Sequence, residues 1–473
     1  MKRFNINSAT DHPRLAGDTL ILLALLLLGL NFILPTASML ISCMVAGYLV
    51  WKANVLFFPA LVLLHFSARN FLLEDFGTED HLLDTLDFAY MRIGGFPLTV
   101  GNVVAVVMTA RWLYAWYFER NPLLKRHGPQ IALWFLALPV STLITMVAFQ
   151  KNLLTPTQAI KGLLGFGVFF YGMLLSPSWP MGKGYCIDRL LVIMGGICVL
   201  GLFGLCGSNF FFFCLAVGPA LAFARLRAPS SMSSKFYAIF ALASSLSYAI
   251  IGQPGDSMFR STLTSMGQGI LSVVIGLLFV RRTSSRLFYK SYGLAVLASL
   301  LFTAYAISIS GTIDPDKVLE GTLTERIQFK FYGDRAPLWG RTWDKIKIPP
   351  YIIREYRPYI DDRAKEQKYG AHNTYLQMLD IEGWWSGMIF ILLILIMMSK
   401  TQVAARQSPD VLLKGLYGGL FVICTIGITT GHSAGGGDYL FMWGSLAGLV
   451  IGAEYWRSTN VRNRPPLSVR DHP

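Results

Sequence analysis

The chain is a succession of long apolar runs separated by short polar connections. Clear examples are residues 19–34, 131–149, 270–280 and 385–398. A run of about 20 apolar residues crosses a bilayer as a helix, because a helix satisfies every backbone N–H and C=O within itself. The first run resembles a secretory signal peptide, but many further runs follow it, so we expect it to be a retained span.

The apolar runs predict an all-α polytopic membrane protein with about 12 to 14 transmembrane helices. The candidate spans are residues 19–34, 36–50, 53–68, 93–110, 131–149, 159–175, 190–206, 208–224, 236–252, 264–280, 291–310, 384–399, 414–430 and 438–453. The chain then divides into transmembrane helices over residues 1–310, a long polar segment over 311–383, and C-terminal transmembrane helices with a tail over 384–473.

Composition excludes a soluble fold for this chain. Hydrophobic residues make up 53% of it and charged residues only 14%, whereas soluble domains are close to one quarter charged. The net charge of +14 would suggest nucleic acid binding on a soluble protein, but here most of the charge sorts to one side of the predicted spans. None of the six cysteines lies in residues 311–383, so no disulfide framework is indicated there.

The sorting of basic residues predicts the orientation. With the N-terminus inside, clusters at residues 111–126, 281–290 and 457–470 fall on the inside. Positive charge marks cytoplasmic loops, so we expect both termini to be cytoplasmic. Segment 311–383 then lies outside, together with Arg260 and His432.

The span cores argue for an enzyme rather than a transporter. A transporter keeps ionisable residues near the membrane midplane, whereas His65 is the nearest example here, and a lone histidine is more often a packed helix residue. Polar chemistry is concentrated at the outer face instead. That pattern favours an enzyme acting on a substrate that lies at the outer membrane–water boundary.

The first informative stretch of the outside segment is residues 333–343. Trp339 and Trp343 would share one helix face, with Arg335 one turn earlier on that face and Arg341 between the tryptophans. Taken alone, this spacing indicates an interfacial helix with tryptophan anchors and snorkelling arginines.

The second stretch begins with His372, Asn373, Thr374 and Tyr375 and leads into the span from residue 384. A helix is predicted to begin here, with Asn373 or Thr374 as its cap. A helix N-terminus favours neutral imidazole, the form that takes a proton from a hydroxyl, and offers free N–H groups to an anion. The alternative is that His372 merely caps the helix, and chemistry alone leaves both open.

Three further places carry weaker candidates. Residues 348–359 contain Arg354 and Arg357 among tyrosines, and could cover a lipid substrate, although a solvated loop is the simpler interpretation. Arg260 precedes the span at 264–280, where its guanidinium would suit phosphate, and a snorkelling structural arginine is the alternative. His432 lies in a glycine-rich stretch that reads more simply as a flexible turn.

The order of these motifs resembles the bacterial O-antigen ligase superfamily, which includes O-antigen and exopolysaccharide polymerases. His372 to Gln377, followed by Glu382, Gly383 and a span, is similar to the family's His-Asn-x-x-Leu motif. Residues 333–339 resemble its Gly-Arg-x-x-x-Trp stretch, with one extra residue between Gly and Arg. Phe259-Arg260-Ser261 stands where the family has Ser-Arg-Gly, and two of its three residues differ. The resemblance covers residues 250–400.

The resemblance implies a metal-independent, GT-C-like glycosyltransferase of the bacterial inner membrane, with one long periplasmic loop and no cofactor. It would move a glycan from an undecaprenyl diphosphate carrier to an acceptor hydroxyl, on lipid A–core for a ligase or on another carrier-linked repeat unit for a polymerase. His372 would be the base, and Arg260 and Arg335 would bind the diphosphate. Further candidates for acceptor contact or support are Asn373, Arg341, Tyr375, Arg354, Arg357 and His432.

Two rival functions remain open at this point. A metal-dependent transferase would need outside carboxylates such as Asp314 and Asp316, which fit a proline turn better. A lipid-linked glycan flippase would need charges along a pathway inside the helices. We expect no bound metal and favour the ligase reaction over the polymerase reaction.

Overall fold

The computed structural model describes part of the chain in detail. The described residues are 12–31, 33–70, 91–93, 96–98, 100–125, 169–203, 208–251, 269–275, 277, 301, 304–305, 339–340, 342–343, 373–426 and 437–462. They form a helical bundle apart from one small β-hairpin.

Among the described residues, four helices with defined bounds form the N-terminal part of the bundle. These are α1 (His12–Asn31), α2 (Pro35–Lys52), α3 (Phe58–Asn70) and α4 (Val100–Tyr117). A 3-10 turn, Val55–Phe57, joins α2 to α3, and Asn54 caps it by accepting a hydrogen bond from the N–H of Leu56. The hairpin strands β1 (Met91–Ile93) and β2 (Phe96–Leu98) precede α4.

The rest of the described bundle contains six further helices. These are α5 (Trp179–Leu202), α6 (Ser208–Arg227), α7 (Met232–Ile251), α8 (Thr374–Gln407), α9 (Val411–Ile426) and α10 (Gly437–Arg462). Residues 169–175 are also helical, and the 3-10 turn Ser176–Ser178 leads from them into α5.

Three helical segments of the described chain are long and apolar enough to cross a membrane: Phe169–Leu202, Met232–Ile251 and Gly387–Gln407. Shorter apolar helices are Thr36–Lys52, Val55–His65 and Val411–Thr425. This architecture is consistent with an α-helical membrane protein. The predicted spans at 131–149 and 291–310 lie wholly or mostly outside the described residues, so the total of 12 to 14 stays a prediction.

The predicted span at residues 93–110 is wrong at its start. Met91 pairs with Leu98 and Ile93 with Phe96 in an antiparallel hairpin, and α4 begins only at Val100. The sequence between the strands is Gly94-Gly95, a pair typical of two-residue hairpin turns. Hydrophobicity alone does not distinguish such a hairpin from the first turns of a helix.

The connection predicted over residues 176–189 is also wrong, because the structure makes it helical. Pro180 stands in the first turn of α5, where its missing N–H leaves no bond unmade. The charged residues that follow, Lys183, Asp188 and Arg189, are all ion-paired. These pairs let the helix extend beyond the apolar run that the sequence signals.

Ion pairs join the helix termini at one end of the bundle, which we call the ion-pair end. They join the early turns of α5 to the start of α1, to the last turn of α6 and to the residue before α9, and one pair lies within α10 near its C-terminal end. The pairs are Asp18–Arg189, Asp188–Arg225, Lys183–Asp410 and Glu454–Arg457. Arg457 also donates to the backbone carbonyl of Gln407 at the end of α8. With the N-terminus inside, the order of the predicted spans also places Lys183, Arg189 and Arg225 on the inside, as it does the cluster that contains Arg457.

Glycines bring several helices into backbone contact. A Cβ on Gly448 of α10 would collide with the carbonyl oxygen of Phe169, and a Cβ on Gly172 with that of Ser445. Gly419 of α9 likewise lies against Val217 of α6. Small residues at helix contacts permit such close approach in membrane proteins. The contacts fix α9 and α10, whose opposite ends contribute to the site described next.

Candidate functional site

Two of the nine site residues that the sequence predicts are described by the structure, Asn373 and Tyr375. The others, His372, Arg260, Arg335, Arg341, Arg354, Arg357 and His432, lie outside the described residues. The site is therefore built from the first turns of α8 and from the helix ends that contact them.

Asn373 is the N-cap of α8. Its backbone is extended, with φ −143° and ψ 108°, and its Oδ1 accepts the N–H groups of Tyr375 and Leu376, each at 3.1 Å. The side chain is buried, at 2% exposure. The prediction of a cap at Asn373 or Thr374 is confirmed as Asn373. His372 is thus the residue before the cap, and the cap position itself belongs to Asn373.

The cap changes what the helix N-terminus can offer a substrate. Asn373 already accepts two of the four N–H groups that have no partner within the helix. Fewer donors remain for an anion than the sequence suggested. The positive end of the helix dipole still favours a neutral imidazole at a neighbouring histidine. The first turn of α8 therefore suits a proton acceptor better than a phosphate site.

Tyr375 connects this first turn to α9. Its hydroxyl donates a hydrogen bond of 2.7 Å to the backbone carbonyl of Cys424, and the indole Nε1 of Trp443 in α10 donates to the Cys424 Sγ at 2.9 Å. Burial, followed by the nearby Cys424 thiol, raises the pKa of the Tyr375 phenol. The hydroxyl therefore stays protonated and keeps donating. The sequence predicts that Tyr375 either contacts the acceptor or supports the site. The contact with Cys424 fits the supporting role better.

A sharp bend separates the first turns of α8 from its apolar length. A Cβ on Gly387 would lie 2.8 Å from the Cα and 3.0 Å from the N of Leu379. Eight residues of straight helix would hold these backbones about 12 Å apart. Gly383 stands midway between them in the sequence, and glycine is a common cause of sharp kinks. The motif segment therefore folds back against the start of the membrane-spanning part of α8.

Residues 339–340 and 342–343 are helical, as the spacing of Trp339 and Trp343 predicts. Trp339 is fully buried and is among the largest buried side chains of the described chain, and Thr342 is also buried. Trp343 is half-buried. The prediction of exposed tryptophan anchors is thus wrong for Trp339, because a membrane anchor needs an exposed ring. This stretch packs into the protein.

The site lies at the opposite end of the bundle from the ion pairs. Helix α8 runs from Asn373 at the site to Gln407, whose carbonyl accepts from Arg457 at the ion-pair end. Helix α9 starts beside Asp410 and reaches Cys424, and α10 passes Trp443 before Arg457. The first turn of α8 and the paired cations are therefore separated by the length of these helices.

Sequence reasoning missed Cys424, Trp443 and Gly387. Each lies within or beside an apolar run, where cysteine, tryptophan and glycine are ordinary packing residues. No spacing or charge marked them as neighbours of the motif, because Tyr375 and Cys424 are 49 residues apart, Cys424 and Trp443 are 19 apart, and Gly387 meets Leu379 only through the bend of α8. Only the fold brings them to the start of α8.

Among the described residues, no group of three or more His, Cys, Asp or Glu side chains could hold a metal ion. The carboxylates weighed in the sequence, Asp314 and Asp316, lie outside the described residues. No family model, curated protein or solved structure matches this chain.

Proposed function

We propose that the protein is a periplasmic-face glycosyltransferase that moves a glycan from undecaprenyl diphosphate to an acceptor sugar hydroxyl. One observation carries the proposal: the helix that follows His372 is capped by Asn373 and fixed by Tyr375, at the bundle end opposite the paired cations. Since cations mark the cytoplasmic side, this arrangement supports a motif that faces outward. The acceptor proposed is lipid A–core, which makes the reaction that of an O-antigen ligase.

The proposed reaction is a single displacement. His372 accepts the proton of the acceptor hydroxyl, whose oxygen forms a bond to the anomeric carbon while the bond from that carbon to the diphosphate oxygen breaks. Negative charge develops on the leaving diphosphate, and Arg260 and Arg335 would stabilise it without a metal ion. The product would have inverted anomeric configuration, which NMR of the product measures. Retained configuration would contradict the single displacement.

The small number of buried ionisable side chains in the described helices favours an enzyme over a flippase. The buried side chains among Asp, Glu, His, Lys and Arg are Arg225, Glu454 and His65. Arg225 and Glu454 belong to the ion-pair end, at the ends of their helices. Within the described spans, His65 is then the one buried ionisable side chain away from that end, whereas a charged lipid headgroup crossing the bilayer would need several polar partners.

The decisive experiment replaces His372 by Ala in the native strain. We expect glycan transfer to be lost while the carrier-linked donor accumulates on the outer side. The reason is that the change removes only the imidazole that takes the proton from the acceptor hydroxyl. His127→Ala is the matched control, a histidine predicted on the cytoplasmic side. A donor trapped inside the cell would support a flippase instead. Transfer that continues unchanged in His372→Ala would exclude the proposed base.

Repeat-unit polymerase is the second candidate, because the resemblance includes both reactions. The lipopolysaccharide pattern of a deletion strain separates them. Deletion of a ligase would leave the core without attached glycan while carrier-linked polymer is retained. Deletion of a polymerase would leave a core that carries a single repeat. Activity in EDTA is expected to persist in either case, and its loss would contradict the metal-independent mechanism.

A further inference from the structure

An exposed aromatic ladder lies at the ion-pair end, where α2 ends and α4 ends. Trp51 contacts Tyr114 at 5.4 Å between ring centroids, Tyr114 stacks on Phe118 at 5.2 Å, and Phe118 meets Tyr117 at 5.1 Å. Tyr117 and Phe118 are 76% and 68% exposed. Rings that contact one another yet remain exposed at a helix end are typical of the membrane–water interface. Neither ion pairs nor the His372 motif accounts for this ladder.

Arg111 fixes the ladder in place. Its guanidinium lies 5.7 Å from the ring centroids of both Trp51 and Tyr114, and its Nε donates to the carbonyl of Trp51 at 2.8 Å. Its terminal nitrogens donate to Glu119. The charge of Arg111 is therefore matched by Glu119, and the arginine serves to hold the two helix ends together.

Two exposed cations beside the ladder have no carboxylate partner among the described residues. Lys52 lies 5.5 Å over the ring of Tyr48, and Arg120 directly follows Glu119. Arg120 has a left-handed backbone, with φ 48°, which is uncommon for a residue with a side chain. The N–H of Asn121 bonds to the Ala115 carbonyl, and this contact helps hold that conformation. The side chain of Arg120 is exposed at this turn after α4.

We propose that this corner, made of Trp51, Lys52, Tyr114, Phe118 and Arg120, binds the phosphodiester headgroup of an anionic phospholipid. The rings would lie at the level where headgroups meet acyl chains, which is where amphipathic aromatic side chains concentrate. Lys52 and Arg120 supply positive charge that no described carboxylate offsets, and a lipid phosphate complements it. A soluble anion would gain nothing from the rings, so the occupant is a lipid.

Native mass spectrometry of the full-length protein in detergent tests the proposal. The probes are phosphatidylglycerol and phosphatidylcholine, titrated in parallel, and the measurement is the ratio of their apparent affinities. We expect the double variant Lys52→Gln with Arg120→Gln to reduce the preference for phosphatidylglycerol by about 25-fold, since each interfacial cation contributes about fivefold. A preference unchanged by this variant would overturn the proposal.

The matched control is Arg227→Gln with Lys400→Gln, which removes the same charge from other helices toward the ion-pair end, where no ring contact is described. The preference should stay within about twofold of the native protein. An equal loss in the control would mean that net charge alone attracts the lipid, and the corner would not be a site.

Phe118→Ala should weaken the binding of both lipids to the same extent, because it removes a ring and no charge. A loss confined to phosphatidylglycerol would contradict the role given to the ladder.

Discussion

The hydroxyl of Tyr375 donates a 2.7 Å hydrogen bond to the carbonyl oxygen of Cys424. This bond joins the first turn of α8 to the last turn of α9, and Trp443 secures Cys424 from α10. Three helix ends are thus held together within three residues of His372. The position of a proton acceptor matters to catalysis at the scale of an ångström, so this contact connects packing to the proposed chemistry.

Tyr375→Phe should weaken that connection without removing the ring. We expect a loss of about 1 kcal/mol in the free energy of unfolding, since one buried hydrogen bond is removed. We also expect kcat for glycan transfer to fall about tenfold with KM nearly unchanged, because the base is displaced while the donor site is untouched. Thermal unfolding and steady-state kinetics measure the two effects. Tyr237→Phe on α7 is the control and should change neither. An unchanged kcat in Tyr375→Phe would refute the positioning role.

Asn373→Ala should destabilise the start of α8. The cap accepts two N–H groups, and loss of such a cap costs about 1 kcal/mol. Asn373→Asp should retain most of the native stability, because a carboxylate oxygen also accepts these bonds and favours the helix dipole. Thermal unfolding of the two purified variants makes the comparison. If the two variants were equally destabilised, the effect would not come from capping.

Gly387→Ala should disturb the bend of α8. The added Cβ meets the backbone of Leu379 at 2.8 Å, and backbone atoms cannot rotate away as a side chain does. We expect a loss of about 1–3 kcal/mol in stability and a marked loss of transfer activity. Gly196→Ala in α5 is the control, since a Cβ there has nothing within 4 Å. That variant should be neutral or slightly stabilising, because alanine is the better helix former. A similar loss in both variants would argue against the bend.

The Asp188–Arg225 pair should matter more than the Asp18–Arg189 pair. Arg225 is 8% exposed and also donates to Ser234, so Arg225→Met leaves a largely buried carboxylate and should cost about 3–5 kcal/mol. The further change Asp188→Leu should restore most of that loss, which chemical denaturation of the single and double variants would measure. No recovery in the double variant would show that the pair does not explain the loss.

Asp18→Asn is the exposed counterpart, and it should change stability by about 1 kcal/mol or less. Burial would raise the pKa of Asp18, but hydrogen bonds from Arg189 and Tyr185 outweigh it and lower that pKa. The stability from this pair is therefore present above the unfolded-state pKa and is lost only as the pH falls through the lowered value. Unfolding measured between pH 5 and 8 should show no dependence on Asp18, and a dependence in that range would contradict the assignment.

Sequence pattern located several helices closely. The span predicted at 36–50 is α2 (Pro35–Lys52), and that at 438–453 begins one residue after α10 does. These predictions succeed because a long apolar run, a proline at a helix start and a polar residue at its end act locally. The extension of α5 back to Trp179 was missed, since it depends on partners such as Asp18 and Asp410 that are distant in sequence.

The sequence by itself determined that the protein is apolar enough for a membrane, where α2 and α10 begin to within one residue, and that a helix capped by Asn373 or Thr374 follows His372. These are consequences of local composition and of hydrogen bonds between residues two or three positions apart. Only the tertiary structure decided that Tyr375 points to Cys424, that Leu379 folds back on Gly387, and that Trp339 is buried. The physical reason is that these contacts join separate segments, or two parts of one bent helix, and their energy depends on packing that no local pattern contains.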